Sequence, residues 1–197
     1  MPEYCACGEK ECRPPHKPEK HKKHHDCPKT VTILKCGTAA SIPTITSSVL
    51  NGAAAIGTSS SYGSNVVATV ALNTTGLVDT TVKIDFSSLI SFRTTNDDNY
   101  CLRLAFRLSR VCDGNQVPLG TWTFEKTSYE LDSNVDGEYI QETDSFCFSY
   151  CQCDTCPGCC YYVVELCEQY PYNIAFADIS GVTLTALAVG EKAPHHY

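Results

Sequence analysis

From Thr30 onward most of the chain alternates apolar and polar side chains with a period of two. That period marks a strand with one buried and one wet face. In CLRLAFRLSRVC, residues 101–112, Leu102, Leu104, Phe106 and Leu108 share one face while Arg103, Ala105, Arg107 and Ser109 share the other. TVKIDFS turns Val82, Ile84 and Phe86 inward, and GTWTFEK does the same with Trp122 and Phe124. Further strands are expected at VTILKC, NVVATVALN, DSFCFSYC, CCYYVVELC and GVTLTALAVG, with weaker ones within residues 42–56. No segment sustains a helical period. Roughly eight to ten strands spaced by about 10–15 residues predict an all-β body, an antiparallel β-sandwich of jelly-roll-like type. A closed barrel is the alternative.

The pattern divides the chain into three parts. Residues 1–29 contain CRPPHKPEKHKKHHDCPK, with four prolines between positions 14 and 28 and almost no apolar side chain. Such a segment cannot bury enough surface to offset its conformational entropy, so an extended connector arm, mobile when alone, is expected. At about 3.3 Å per residue it reaches on the order of 90 Å. Residues 30–190 are the expected sandwich, and residues 191–197, EKAPHHY, a short frayed tail.

Composition changes this picture in two ways. Fourteen of 197 residues are cysteine, just under the roughly 8–10 per cent that marks a pure disulfide scaffold, so the cysteines supplement a core and do not replace it. The net charge of −7 is uneven, with +2 on residues 1–29 and −9 on the rest. An acidic body repels phosphates, so no nucleic-acid partner is expected; a basic arm docking on the acidic body of another copy fits better. No window approaches 18 uninterrupted apolar residues, and no membrane partner is expected. The start MPEYCACGEK has no apolar h-region, so no secretory signal is read there. The thiols are then either reduced in the cytosol or exposed outside by a route that needs no signal.

The chemistry to be explained is concentrated in CFSYCQCDTCPGCCYYVVELC, residues 147–167, with seven cysteines. Cys153, Cys156 and Cys159 form two overlapping C-x2-C units flanked by Cys151 and Cys160. Zinc needs four such ligands, normally from two separated knuckles, so a pair such as Cys101 and Cys112, or the arm, would have to complete the site. CPGC also resembles a thiol oxidoreductase motif, but it runs into a strand and lacks the helix N-terminus that activates the nucleophile. Covalent stapling is the third reading. Asp, Pro and Gly make CDTCPGCC a tight turn, expected to cap a hairpin between DSFCFSY and CYYVVEL. The body candidates for disulfides are Cys36, Cys101, Cys112, Cys147, Cys151, Cys153, Cys156, Cys159, Cys160 and Cys167. Cys101 and Cys112 fall on opposite faces of one strand by parity and are not expected to bond to each other.

The arm adds Cys5, Cys7, Cys12 and Cys27, placed on a segment with no core to order them and therefore suited to reach another subunit. His21, His24 and His25 beside Cys27 are metal-capable, but Lys22 and Lys23 between them repel a cation, so no metal or cofactor is expected. All six histidines lie in the two tails, and neither a G-x-S-x-G nor a phosphate-binding loop occurs. The body thus lacks the usual general base, and Asp97 and Asp98 read as solvated loop; an enzyme is not expected. Tyr161, Tyr162, Tyr170 and Tyr172 permit a carbohydrate-binding surface, or they pack internally.

CGTAAS, VPLGTWTF, CQCDTCPGCCYYVVEL and GVTLTALAV resemble an uncharacterised cysteine-rich family of spore-forming clostridia, over most of residues 31–189. In organisation, though not in motif, the chain is similar to subunits of bacterial endospore appendages: jelly-roll domains with a cysteine-bearing N-terminal connector, stacked into fibres by strand augmentation and disulfides. This arm is longer than those connectors and reads CAC where they carry adjacent cysteines. The resemblance implies a structural subunit of an extracellular or spore-surface fibre, partnered with itself in a helical homopolymer and locked by Cys5, Cys7 or Cys12. A zinc-binding cysteine-rich protein and a monomeric spore-coat binding module are the alternatives.

Overall fold

A computed structural model of the chain describes residues 30–47, 65–95, 99–129, 139–153 and 158–193. They form β1 (Thr30–Cys36), β2 (Thr38–Ala39), β3 (Asn65–Asn73), β4 (Leu77–Thr94), β5 (Asn99–Cys112), β6 (Asn115–Tyr129), β7 (Gln141–Gln152), β8 (Cys159–Tyr172) and β9 (Ile174–Lys192). Every segment with clear alternation is a strand, and several run further than the alternation does. β4 continues past TVKIDFS because Ile90 and Phe92 keep to the buried face; the buried Ser88 between them and Phe86 interrupts the apolar pattern without interrupting the strand.

Two antiparallel sheets result, one ordered β1-β9-β4-β7 and the other β2-β3-β8-β5-β6. The chain changes sheet at nearly every connection, so strands adjacent in a sheet are mostly distant in sequence, which is the jelly-roll arrangement. The first change of sheet happens at Gly37. Its N–H donates to the Leu184 carbonyl in the four-stranded sheet at 2.7 Å, while Thr38 already pairs with Thr69 in the other sheet. A Cβ at this corner would collide with the Thr69 carbonyl oxygen, so the sharp turn requires glycine. The local hairpin β5–β6 turns on Asp113 and Gly114, with φ of 51° and 78°. Two positive φ values in a two-residue loop match the twist of the flanking strands.

The core lies between the sheets. Val82, Ile84 and Phe86 face Leu102, Leu104, Phe106 and Leu108 across the gap, all buried. Each such side chain contributes roughly 1.5–3 kcal/mol on burial. Along the β6–β7 side the filling is aromatic: Trp122 stacks on Phe148 with centroids 4.1 Å apart, and Phe106 stacks on Phe146 at 4.9 Å. Lys126 on β6 reaches Asp144 at 2.9 Å and Glu142 at 3.5 Å on β7, tying the two sheets along that side.

Several expectations need correction. DSFCFSY and CYYVVEL do not form a hairpin, because β7 lies in one sheet and β8 in the other, and the segment between them crosses the sandwich. Ala105 and Ser109, read as wet, are buried. Both sit at breaks in register, where Cys167 on β8 and Leu119 on β6 are extra residues and simple alternation fails. Tyr162 is a core side chain and not a surface aromatic. Glu191 and Lys192 still belong to β9, facing Thr30 and Leu77. Of residues 42–56, Ile45 makes an isolated bridge to Ala177, and residues 48–56 lie outside the described part.

Candidate functional site

Register brings the cysteine-rich segment to one pole of the sandwich. Asn73 at the end of β3 faces Cys159, Cys112 at the end of β5 faces Cys160, and Val82 near the start of β4 faces Gln152. Thr30, where the described chain begins, pairs with Glu191 at this same pole. The pole thus gathers the β5–β6 tip, the β3–β4 turn, both flanks of the cysteine-rich crossing and the root of residues 1–29.

Covalent and polar contacts hold it together. Cys112 and Cys160, directly opposite on β5 and β8, are joined by a disulfide with Cα atoms 4.5 Å apart, the separation of a non-hydrogen-bonded antiparallel pair. The buried Thr74 fixes the crossing: its N–H donates to the Gly158 carbonyl at 2.8 Å, and its hydroxyl bonds the same carbonyl and the Gly158 N–H, each at 3.2 Å. Arg110 on β5 donates to the Gln152 amide oxygen on β7 at 3.2 Å, linking the two sheets. Burial pushes the Tyr162 phenol up, against the opposing influence of the Arg110 guanidinium.

Seven of the described cysteines are free thiols. Cys36, Cys147, Cys151, Cys153, Cys159 and Cys167 are exposed, and Cys101 is half-buried. The parity argument for Cys101 and Cys112 agrees with this pairing, since Cys112 bonds Cys160 and Cys101 does not. Cys167 is a bulge residue whose S–H donates to the Ala105 carbonyl at 3.3 Å. Partial burial pushes its thiol up, and burial does the same to Cys101. Cys153 and Cys159 flank residues 154–157 at the pole, whereas Cys36, Cys147 and Cys151 lie on the outer face of the four-stranded sheet. Cys5, Cys7, Cys12, Cys27, Cys156 and the six histidines fall outside the described residues.

The zinc reading loses two of its donors, because Cys112 and Cys160 are bonded to each other. Among the described residues no group of three or more His, Cys, Asp and Glu is placed to hold a metal ion. The outer faces carry polar ladders that sequence reading did not single out. On the five-stranded sheet the nearly buried Glu165 accepts from Arg107 Nη2 at 3.1 Å and Gln116 Nε2 at 3.1 Å. On the other sheet Ser87 bonds Thr183 at 2.6 Å, Ser91 bonds Thr143 at 2.8 Å, and Lys83 pairs with Asp85 at 2.9 Å. Lys83 and Asp85 are neighbours on one face of β4; the other partners come from different strands, so only the register reveals them.

Fold and thiols together define a jelly-roll module with, among the described residues, one internal disulfide and most of the remaining thiols facing outward. A family model for a domain of unknown function (DUF4489) matches residues 30–189, which spans the sandwich from the first residue of β1 into the last turns of pairing in β9. The chain belongs to this family. No curated protein matches it.

Proposed function

We propose that the protein is a structural, non-enzymatic subunit that assembles with copies of itself into a disulfide-cross-linked fibre outside the cell, with residues 1–29 linking neighbours. The observation that carries this reading is the outward placement of the thiols: six of the seven free ones among the described residues are exposed. A protein using cysteine only to staple its own fold would turn its sulfurs inward and pair them. Residues 1–29 leave the body at the pole where Cys153 and Cys159 are exposed, and they carry four more cysteines. Head-to-tail contacts that do not close propagate into filaments, and each interchain bond makes subunit loss depend on chemical reduction. The resemblance to clostridial cysteine-rich proteins and the appendage-like organisation point to the spore surface as the place of assembly, where oxidising surroundings preserve such bonds.

The test is a denaturing gel of air-oxidised protein with and without reductant. A ladder, or material held in the well, that collapses to monomer on reduction is the expected result. Monomer in both lanes would overturn the reading.

A further inference from the structure

On the outer face of the four-stranded sheet, cysteine occurs only on the two edge strands. β1 contributes Cys36 and β7 contributes Cys147 and Cys151, while the interior strands β4 and β9 contain no cysteine. Among the described residues no strand pairs with the open side of β1 or β7, and that is where a strand from another copy would lie. Resting on the fibre reading above, we propose that β1 of one copy adds to β7 of the next and that Cys36 bonds there to Cys147 or Cys151, a lock in the body independent of residues 1–29.

Three features of the sheet fit this junction. Neighbouring strands alternate in direction across its four members, so β1 runs antiparallel to β7. A second copy placed alongside by translation therefore continues the antiparallel order without a break. The thiols also lie at one height: Cys36 faces Thr185, Thr185 faces Asp85 and Asp85 faces Ser149, midway between Cys147 and Cys151. A slip of two residues in either direction keeps every side chain on its own face and sets Cys36 directly opposite one of the two.

The backbone groups are oriented for it as well. Gly37 N–H donates to Leu184, making those two a hydrogen-bonded pair; by alternation the N–H and C=O of Cys36 point to the open edge. Thr94 N–H likewise donates to Ile140, and counting along the unbroken β4–β7 register leaves the N–H and C=O of Cys147 and Cys151 on the open edge. Residues that meet in this way form a hydrogen-bonded pair with Cα atoms about 5.5 Å apart, within the roughly 4.4–6.8 Å that a disulfide spans. Formation of the bond removes two protons and two electrons from the thiols. A small disulfide such as oxidised glutathione accepts them, leaving as two thiols after a mixed-disulfide step.

The test uses the full chain with Cys5, Cys7, Cys12 and Cys27 replaced by serine, prepared with natural and with ¹⁵N nitrogen, mixed equally and oxidised with oxidised glutathione. Non-reducing peptide mapping is expected to find Cys36 linked to Cys147 or Cys151 in mixed-isotope pairs, and adding Cys36→Ser is expected to abolish the ladder. Absence of such pairs, or a ladder unchanged by Cys36→Ser, overturns the proposal. If the unaltered chain forms a ladder and the four-serine variant does not, the fibre reading stands and the body lock falls. If the unaltered chain forms none, both fall.

Discussion

Glu165 is the most consequential single charge in the described body. Its carboxylate is buried on a sheet face and takes hydrogen bonds from Arg107 and Gln116, so removing it deletes a charge-assisted network and leaves a gap where the side chain packed. Glu165→Ala is expected to cost about 2–3 kcal/mol in chemical denaturation. Arg103→Ala is expected to cost less than about 1 kcal/mol, because its pair with Glu168 is 3.8 Å long and about half exposed on both sides. Asp85 offers a finer test. Burial pushes its carboxyl up, but the Ser149 hydroxyl and the Lys83 ammonium outweigh this and hold it below its ordinary value of 3.8. A carboxyl lowered in the folded state adds stability that is present above its unfolded pKa and lost as pH falls through its folded one. In Ser149→Ala the Asp85 carboxyl is therefore expected to titrate at higher pH by NMR; an unmoved midpoint would assign the whole effect to Lys83.

At the scale of elements, the Cys112–Cys160 bond closes a stretch of 48 residues, worth about 4 kcal/mol in the chain-entropy account. Replacing both cysteines with serine is expected to lower the unfolding free energy by about 2–4 kcal/mol and to speed amide exchange first at the β5–β6 tip. Unchanged protection there would mean that Thr74 and Arg110 hold the pole without the bond. The strands themselves were legible in the sequence because Leu102 through Leu108, Val82 through Phe86, and Trp122 with Phe124 alternate as a pleat demands. Their partners were not. Whether β7 joins β8 or lies across the sandwich depends on how the crossing residues are spent, and Asp, Pro and Gly are as compatible with an arch as with a hairpin. The disulfide was hidden for the same reason: parity excluded Cys101 as the partner of Cys112, but choosing Cys160 requires knowing that β5 and β8 are neighbours. Bulges hid Ala105 and Ser109. The Asp113-Gly114 turn was a readable signal, since that dipeptide between alternating segments marks a tight hairpin.

For the whole molecule, the jelly-roll order makes folding a long-range problem. β1 cannot pair until β9, the last strand described, is in place, and loop closure over such distances is slow. Trp122 is the sole tryptophan, stacked at the seam between the sheets, and its fluorescence should report docking of β6 on β7. Stopped-flow refolding of disulfide-intact protein is expected to show this change in milliseconds to seconds; a microsecond phase carrying the full amplitude would contradict the topology. The register of β1 has a mechanical consequence too. Tension entering through residue 29 and resisted at the opposite pole pulls β1 lengthwise along β9, so all seven residue pairs from Thr30 to Cys36 bear load together. Peeling would break them one at a time. A thread strung through this attachment point would resist stretching far better than the modest length of β1 suggests.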